Sequence, residues 1–351
     1  MKRAILHIGT EKTGSTSVQR FLFENRGALK RKGWLFPKSA GYLSNHRLVV
    51  YAKRHPEADL IQLGSPRGTS ESLERLRTGF LDDHCHEVLP FMKGRWPRDR
   101  TLVYSSEHMQ SRLTTTDEIT RVARLLRPQV DRIEVIVYLR RQDRLAASAH
   151  STSMRSGDVR DFDFEGVNAS GPYYDHLTLL ENWSAVFGDD AIRVRLFERG
   201  RLSGGDVVRD FVHTSGIDRV LPRPVFPVSA NEALSWTAQA VLRTFNRLAD
   251  DDPILLGIDR AAFVPYLLNR LEGIADEHGQ VLPSRTSARA FYARFEEANA
   301  RISERWLGGE GFDERFDDYP DDGFRAPVVA DAKERLHALI VQWQGDGRKR
   351  A

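Results

Sequence analysis

Ala4-Ile5-Leu6-His7-Ile8-Gly9-Thr10-Glu11-Lys12-Thr13-Gly14-Ser15-Thr16-Ser17-Val18-Gln19-Arg20-Phe21-Leu22 decides how the chain is read. Ala4 to Ile8 is a short apolar run of the kind that forms a buried strand. From Val18 the apolar positions (Val18, Phe21, Leu22, then Leu29) keep helical spacing, and Gly33 is the expected C-cap. Between them lie two glycines, Lys12 and the hydroxyls of Thr13, Ser15, Thr16 and Ser17. A strand, a glycine-bounded turn and a helix start aim several backbone N–H groups and a helix N-terminus at one spot, which suits a phosphate-like anion.

Gly9 and Gly14 have the separation of a P-loop, but Ser15 stands where its GK[ST] lysine would be. The lysine inside this loop is Lys12, two residues before Gly14. Such a loop can cradle an anion and is poorly built for Mg-ATP.

Further on, Trp34 to Pro37 reads as a short strand ended by proline. Ser39 to His46 is loop-like and leaves His46 at a loop-to-helix junction. Ser65 to Thr69 reads as a turn, and Ser70 to Leu89 as a helix that Pro90 stops. His84-Cys85-His86-Glu87 lies on that helix, where adjacent side chains diverge; with no second ligand cluster nearby, no metal is expected. Arg100 to Ser106 is a strand that ends at Glu107-His108, the edge where open α/β sheets place their ligands. Thr115 to Glu118 is a capping-box start for a helix that Pro128 ends. Ile133 to Leu139 is the next strand. It runs into Arg140-Arg141-Gln142, with Ser148 eight residues after Arg140, and this is a second strand-to-helix junction. A helix with Leu177, Leu180, Trp183 and Phe187 follows, then a Phe-Gly-Asp turn and an alternating strand, Ala191 to Phe197. Beyond the prolines of 222–227 the pattern is helical. Leu234, Ala238, Val241, Phe245 and Leu248 form one face, and Phe291, Phe295, Ala298, Ile302 and Trp306 another.

The expected fold is α/β: a three-layer, P-loop-like parallel sheet flanked by helices over residues 1–228, with a C-terminal helical lobe over 229–351. No stretch approaches the ~20 apolar residues of a membrane span, and the N-terminus lacks the pattern of a signal peptide. The single cysteine, Cys85, excludes an internal disulfide and fits a reducing, cytoplasmic compartment. The net charge of +3 comes from scattered arginines plus a short basic C-terminal tail, too little for a nucleic-acid stripe.

Lys12-Thr13-Gly14-Ser15-Thr16 resembles the 5′-phosphosulfate loop of sulfotransferases, Pro-Lys-[ST]-Gly-[ST]-[ST], with Glu11 in place of the proline. Those enzymes use 3′-phosphoadenosine 5′-phosphosulfate (PAPS). Arg140 and Ser148 match the arginine and serine with which cytosolic and glycan sulfotransferases hold the 3′-phosphate; Gln142 stands where a proline is commoner. The resemblance covers roughly residues 1–200. It implies in-line transfer of a sulfuryl group from PAPS to a hydroxyl or amine, with release of the desulfated nucleotide PAP and no metal requirement. The acceptor would be a small molecule or glycan, carbohydrate first. Lys12, Thr13, Gly14, Ser15, Thr16 and Ser17 would hold the 5′ end. Lys12 and the loop N–H groups would stabilise the leaving phosphate, and Glu107, then His108, then His46 are the candidate bases. The alternatives are a P-loop kinase using a nucleoside triphosphate and a non-catalytic nucleotide-binding module.

Overall fold

The computed structural model describes the chain except for residues 65–71, 95–97, 228–233, 250–251, 253–254, 272–281, 322–330 and 349–351. The expected turn at 65–69, the expected boundary at 228 and the end of the basic tail lie outside the described residues. By contacts the chain divides into two units, 1–141 with 169–230 and 295–313, and 142–168 with 231–294 and 314–351.

The first unit is built on a sheet of five strands: β1 (Lys2–His7), β2 (Trp34–Leu35), β3 (Arg100–Ser105), β4 (Arg132–Leu139) and β5 (Ile192–Leu196). Their order is β2-β3-β1-β4-β5, and every neighbouring pair is parallel. An all-parallel sheet is covered on both faces, so its strands read as near-continuous apolar runs. That is the pattern of Ala4 to Leu6, Leu102 to Tyr104 and Val135 to Leu139, all at most 1% exposed. Ile5, Val103, Ile136 and Tyr138 share one face with Val18, Phe21 and Leu22 of α1 (Ser15–Glu24) and with Val208, Phe211 and Val212 of the helix Val207–Ser215. On the other face His84 of the helix Leu73–Lys93 hydrogen-bonds the Tyr104 hydroxyl at 2.7 Å, and the helix His176–Phe187 packs on β4 and β5. These are the three layers. Full burial of one Leu or Ile contributes about 1.5–3 kcal/mol.

Three local expectations change. The helix predicted to run from Val18 to Gly33 breaks at Asn25, which caps one helix and starts the next, Arg26–Arg31. Its side-chain amide donates to the Phe21 and Val225 carbonyls, and its carbonyl oxygen accepts from Val225 N–H, so tertiary bonds hold the break. Pro90 does not stop its helix, which continues to Lys93. Burial of Phe91 and Met92, with the Arg100 guanidinium over the Phe91 ring, keeps the last turn despite the lost N–H. The continuous face expected over Phe291 to Trp306 is divided. Phe291, on Arg285–Ala293, stacks on Phe164 in the second unit, while Phe295, at the start of Glu296–Trp306, lies against Tyr174 in the first. The His84 and Glu87 side chains are engaged in the fold, Glu87 accepting from the N–H groups of Lys38 and Ser39.

The second unit is the helical lobe. Gln142–Arg155, Trp236–Leu248, Arg260–Leu271 and Ala332–Arg348 contribute to a core of Met154, Val241, Leu242, Phe245, Phe263, Leu267, Leu336 and Ile340. In contrast to a continuous lobe over 229–351, 142–168 belongs to this unit and 295–313 to the first.

Asp210 locks the helix Val207–Ser215 to the sheet. It is fully buried and accepts from the Tyr138 hydroxyl (2.9 Å), Arg195 Nε and Nη2 (2.9 and 2.6 Å) and Ser203 N–H (2.9 Å). Burial alone would raise its pKa; the Arg195 guanidinium and the Ser203 N–H outweigh it and hold the carboxyl below its ordinary value. With the folded pKa depressed, the stabilisation is full above the unfolded carboxylate range and is lost as pH falls through the folded value. Asp210→Asn should therefore lower unfolding free energy at pH 7 by roughly 2–4 kcal/mol, somewhat less than for a wholly buried pair because water screens Arg195. Chemical denaturation at several pH values checks this: the deficit should shrink below about pH 4.

Candidate functional site

In the middle of the sheet β1 is flanked by β3 and β4, and the chain leaves it in opposite directions along the order. This is the topological switch point, where the carboxyl ends of open α/β sheets bind ligands. Three of those ends carry the candidate residues of the first unit other than His46: the Gly9–Ser17 loop after β1, Glu107-His108 after β3 and Arg140 after β4.

The loop is anchored before it turns. Tyr138 N–H donates to the Gly9 carbonyl at 2.7 Å, and the Thr10 N–H and hydroxyl donate to the Tyr138 carbonyl at 2.9 and 3.0 Å. Lys12 (φ 61°) and Gly14 (φ 75°) are left-handed on either side of Thr13, which is not. Alternation of this kind turns successive N–H groups inward as an anion nest. Gly14 is also the N-cap of α1, so the amides of Ser15 and Thr16 stand in a first turn that offers them no intrahelical acceptor. Ser17 N–H is already given to the Gly14 carbonyl, and the Thr13 hydroxyl to the Thr10 carbonyl at 2.6 Å. Those two therefore support the loop's shape. The Lys12 side chain is half-buried and, among the described residues, makes no ion pair or hydrogen bond.

The candidate bases gather at the end of β3. Glu107 packs so closely on the loop that a Cβ at Gly9 would lie 3.1 Å from its Cα. One carboxylate oxygen of Glu107 accepts from the side-chain amide of Gln19 on α1. His108 is half-buried, and its enclosed Nδ1 has no hydrogen-bond partner among the described residues. His46 starts the helix His46–Ala52, and its neighbour Asn45 ties that loop to β3: Asn45 N–H donates to the Ser105 carbonyl and Asn45 Oδ1 accepts from Ser105 N–H. Ser44 adds a hydroxyl bond to Ser106 at 3.1 Å. Arg140 donates to the Lys12 carbonyl at 2.8 Å and lies over the Phe197 ring. His176 Nε2 donates to the Arg140 carbonyl at 2.9 Å. Ser148 lies on Gln142–Arg155, in the second unit.

Sequence reading alone passes over several of these partners. Glu11 N–H donates to Gln110 Oε1, and the Glu11 carboxylate accepts from the Tyr173 hydroxyl at 3.2 Å. Burial first, and the Glu11 charge second, push the Tyr173 hydroxyl well above its ordinary pKa and that of Tyr174 up to about 12. His7 is completely buried below the loop, against Ser105 Oγ at 2.7 Å, and burial lowers its pKa to about 3. The signal for Gln19 was a long amide beside Val18 and Leu22 on an otherwise apolar helix face.

No family model matches the chain. A protein of Archaeoglobus fulgidus described as uncharacterized is 29% identical over 194 residues, 55% of this chain and 50% of its own length. The chain thus matches about half of that relative. Among the described residues no group of three or more His, Cys, Asp or Glu is placed to hold a metal ion, and no helix is long and apolar enough to cross a membrane.

Two measurements bear on the loop. A Cβ at Gly14 would meet Val207 Cγ1 at 2.7 Å and sit at positive φ. Gly14→Ala should cost about 1–3 kcal/mol in denaturant unfolding, and adding Val207→Ala should recover the steric part only. His7 is one acid-sensitive element, beside Asp210 and the buried His84. Its folded pKa lies below the unfolded value of about 6.5, so the unfolded chain binds the extra proton and stability falls as pH drops from there toward about 3. His7→Gln should flatten that slope in melts taken across the range.

Proposed function

We propose that the protein is a PAPS-dependent sulfotransferase, moving a sulfuryl group to a hydroxyl or amine acceptor and releasing PAP. The observation that carries this reading is the pairing, at the ends of neighbouring strands β1 and β3, of a nest-like loop holding a lysine uncommitted among the described residues with Glu107, whose Cα and Cβ pack against Gly9. Phosphoryl transfer by a P-loop kinase uses a lysine directly after the second loop glycine to reach the β- and γ-phosphates, and Ser15 stands in that place.

In this reading the N–H groups of Gly14, Ser15 and Thr16 and the Lys12 ammonium receive the 5′-phosphosulfate. The acceptor oxygen forms its bond to sulfur as the bond from sulfur to the phosphate oxygen breaks. Negative charge then grows on that phosphate, where fixed N–H dipoles and Lys12 stabilise it without reorganising. Glu107 takes the acceptor proton, with His108 beside it and then His46, next to the Asn45 that bonds Ser105, as the next candidates. Arg140 takes the 3′-phosphate; the part given to Ser148 rests on the sequence resemblance alone. A carbohydrate or glycan acceptor goes with the reading because the second motif resembles glycan enzymes as well as cytosolic ones. A cytoplasmic setting is supported by the single cysteine, Cys85, which is exposed and unpaired.

Calorimetry should show PAP binding well above AMP, and Arg140→Ala should narrow that gap by roughly tenfold or more, the equivalent of one charge-assisted hydrogen bond. Equal affinities would reject the 3′-phosphate assignment and favour the kinase reading. With PAPS and a panel of acceptors followed by mass spectrometry, Lys12→Ala should lower turnover by roughly two to three orders of magnitude. PAP binding without transfer to any acceptor would leave a non-catalytic nucleotide-binding module.

A further inference from the structure

Gln19 is the feature that the loop and the candidate base do not explain. It is 2% exposed, on the face of α1 that otherwise presents Val18 and Leu22 to the core. A buried primary amide weakens a core unless its hydrogen bonds are made, and this one donates through Nε2 to a carboxylate oxygen of Glu107. Glu107 is thereby held from two sides. Gly9 fixes its backbone, since even a methyl group there would lie 3.1 Å from Glu107 Cα and 3.2 Å from Cβ. Gln19 fixes the far end of the side chain. Both restraints come from the Gly9–Gln19 segment, so the carboxylate is set relative to the anion loop rather than to the strand that carries it.

A carboxylate has two oxygens and about four acceptor positions. With one oxygen engaged by Gln19, the carboxylate still has acceptor positions for an incoming hydroxyl or amine. Being neutral, the amide fixes the carboxylate without the charge of a lysine or arginine, which would compete for it as an ion pair. Gln19 also lies one helical turn beyond Ser15, so a shift of the loop would be passed to the base through a single rigid turn.

We propose that Gln19 is a positioning residue that orients the Glu107 carboxylate for proton acceptance and couples it to the anion loop. This rests on the reading in which Glu107 is the base.

The test is a double-mutant cycle with Gln19→Leu and Glu107→Gln, read by PAPS turnover, PAP calorimetry and thermal melting. Gln19→Leu should lower kcat by about tenfold to a hundredfold, the loss of one hydrogen bond to a charged group. PAP affinity and KM for PAPS should stay within about twofold, since the interaction matters in the chemical step. Gln19→Asn, which keeps a donor on a shorter arm, should fall between Gln19→Leu and wild type. In the Glu107→Gln background, Gln19→Leu should have little further effect, because residues that act as a unit are non-additive. Additive losses, or a rate loss in Gln19→Leu matched by an equal loss of PAP affinity, would overturn the proposal and make Gln19 a packing residue. Where Gln19→Leu melts too early to assay, Gln19→Asn and Gln19→Met carry the same comparison. If the wild type transfers nothing from PAPS, the sulfotransferase reading fails and the positioning role fails with it. If the wild type is active and the cycle is additive, the positioning role alone fails.

Discussion

Hydrogen bonding on both sides of β1 is the constraint from which the site follows. A central strand cannot shift without breaking two ladders, and here the ladder to β4 continues past the strand: Ile8 N–H reaches the Ile136 carbonyl, Tyr138 N–H the Gly9 carbonyl and Thr10 N–H the Tyr138 carbonyl. The turn that follows therefore starts from a fixed point. With β3 and β4 on either side, and their connections running away in opposite directions, the space above β1 is left to whatever the three strand ends present. They present backbone N–H groups, a carboxylate and a guanidinium.

Close approach sets the rest. Gly9 has no Cβ, and Glu107 occupies the space that one would need. Gly14 has Val207 in the same relation, which seats the helix Val207–Ser215 under the loop; Asp210 on that helix then bonds Tyr138 and Arg195. One route thus runs from the loop through a helix and back to β4, with Asp210 and Tyr138 fully buried in it. Left-handed Lys12 is a costly conformation in it. For a non-glycine residue αL costs about 1–2 kcal/mol, and the surrounding bonds to Thr10, Thr13 and Arg140 over-determine it. Those bonds take the backbone of the segment and leave the Lys12 ammonium without a partner among the described residues.

What the sequence reveals and what it hides divide along the same line. Strands β1, β3, β4 and β5 are legible because burial on both faces or clean alternation is a local pattern, and the glycines mark the turn because positive φ is a local demand. Asn25 is illegible because the residue that holds its break, Val225, is 200 positions away. Pro90 misleads because the burial of Phe91 outweighs a lost N–H only once Arg100 lies over its ring. Phe291 and Phe295 share a helical spacing, yet their ring partners, Phe164 and Tyr174, belong to different units. In the site, residue types at strand ends are readable, while the pairs Gln19–Glu107 and Glu11–Tyr173 are not. Each joins segments that only the sheet order brings together.

Glu11 before the loop lysine and Gln142 at a helix start show how side chains can do the work of a proline ring. Proline before the loop lysine would fix φ and remove an N–H. Glu11 has the N–H and gives it to Gln110, while its carboxylate takes the Tyr173 hydroxyl. Gln110 Nε2 closes the circuit on the Tyr173 carbonyl at 3.3 Å. The restraint that a ring would impose is imposed by two bonds from Glu11 to two other segments and a third that joins those segments, and the carboxylate next to Lys12 accepts from a phenol. The second substitution is simpler. Gln142 is the first residue of the helix Gln142–Arg155, the position where proline is tolerated because the first N–H has no intrahelical partner in any case. Glutamine there changes the entropy of the unfolded chain more than the path of the folded one. Glu11 is thus fixed by contacts with two distant segments, and Gln142 by its place at a helix start.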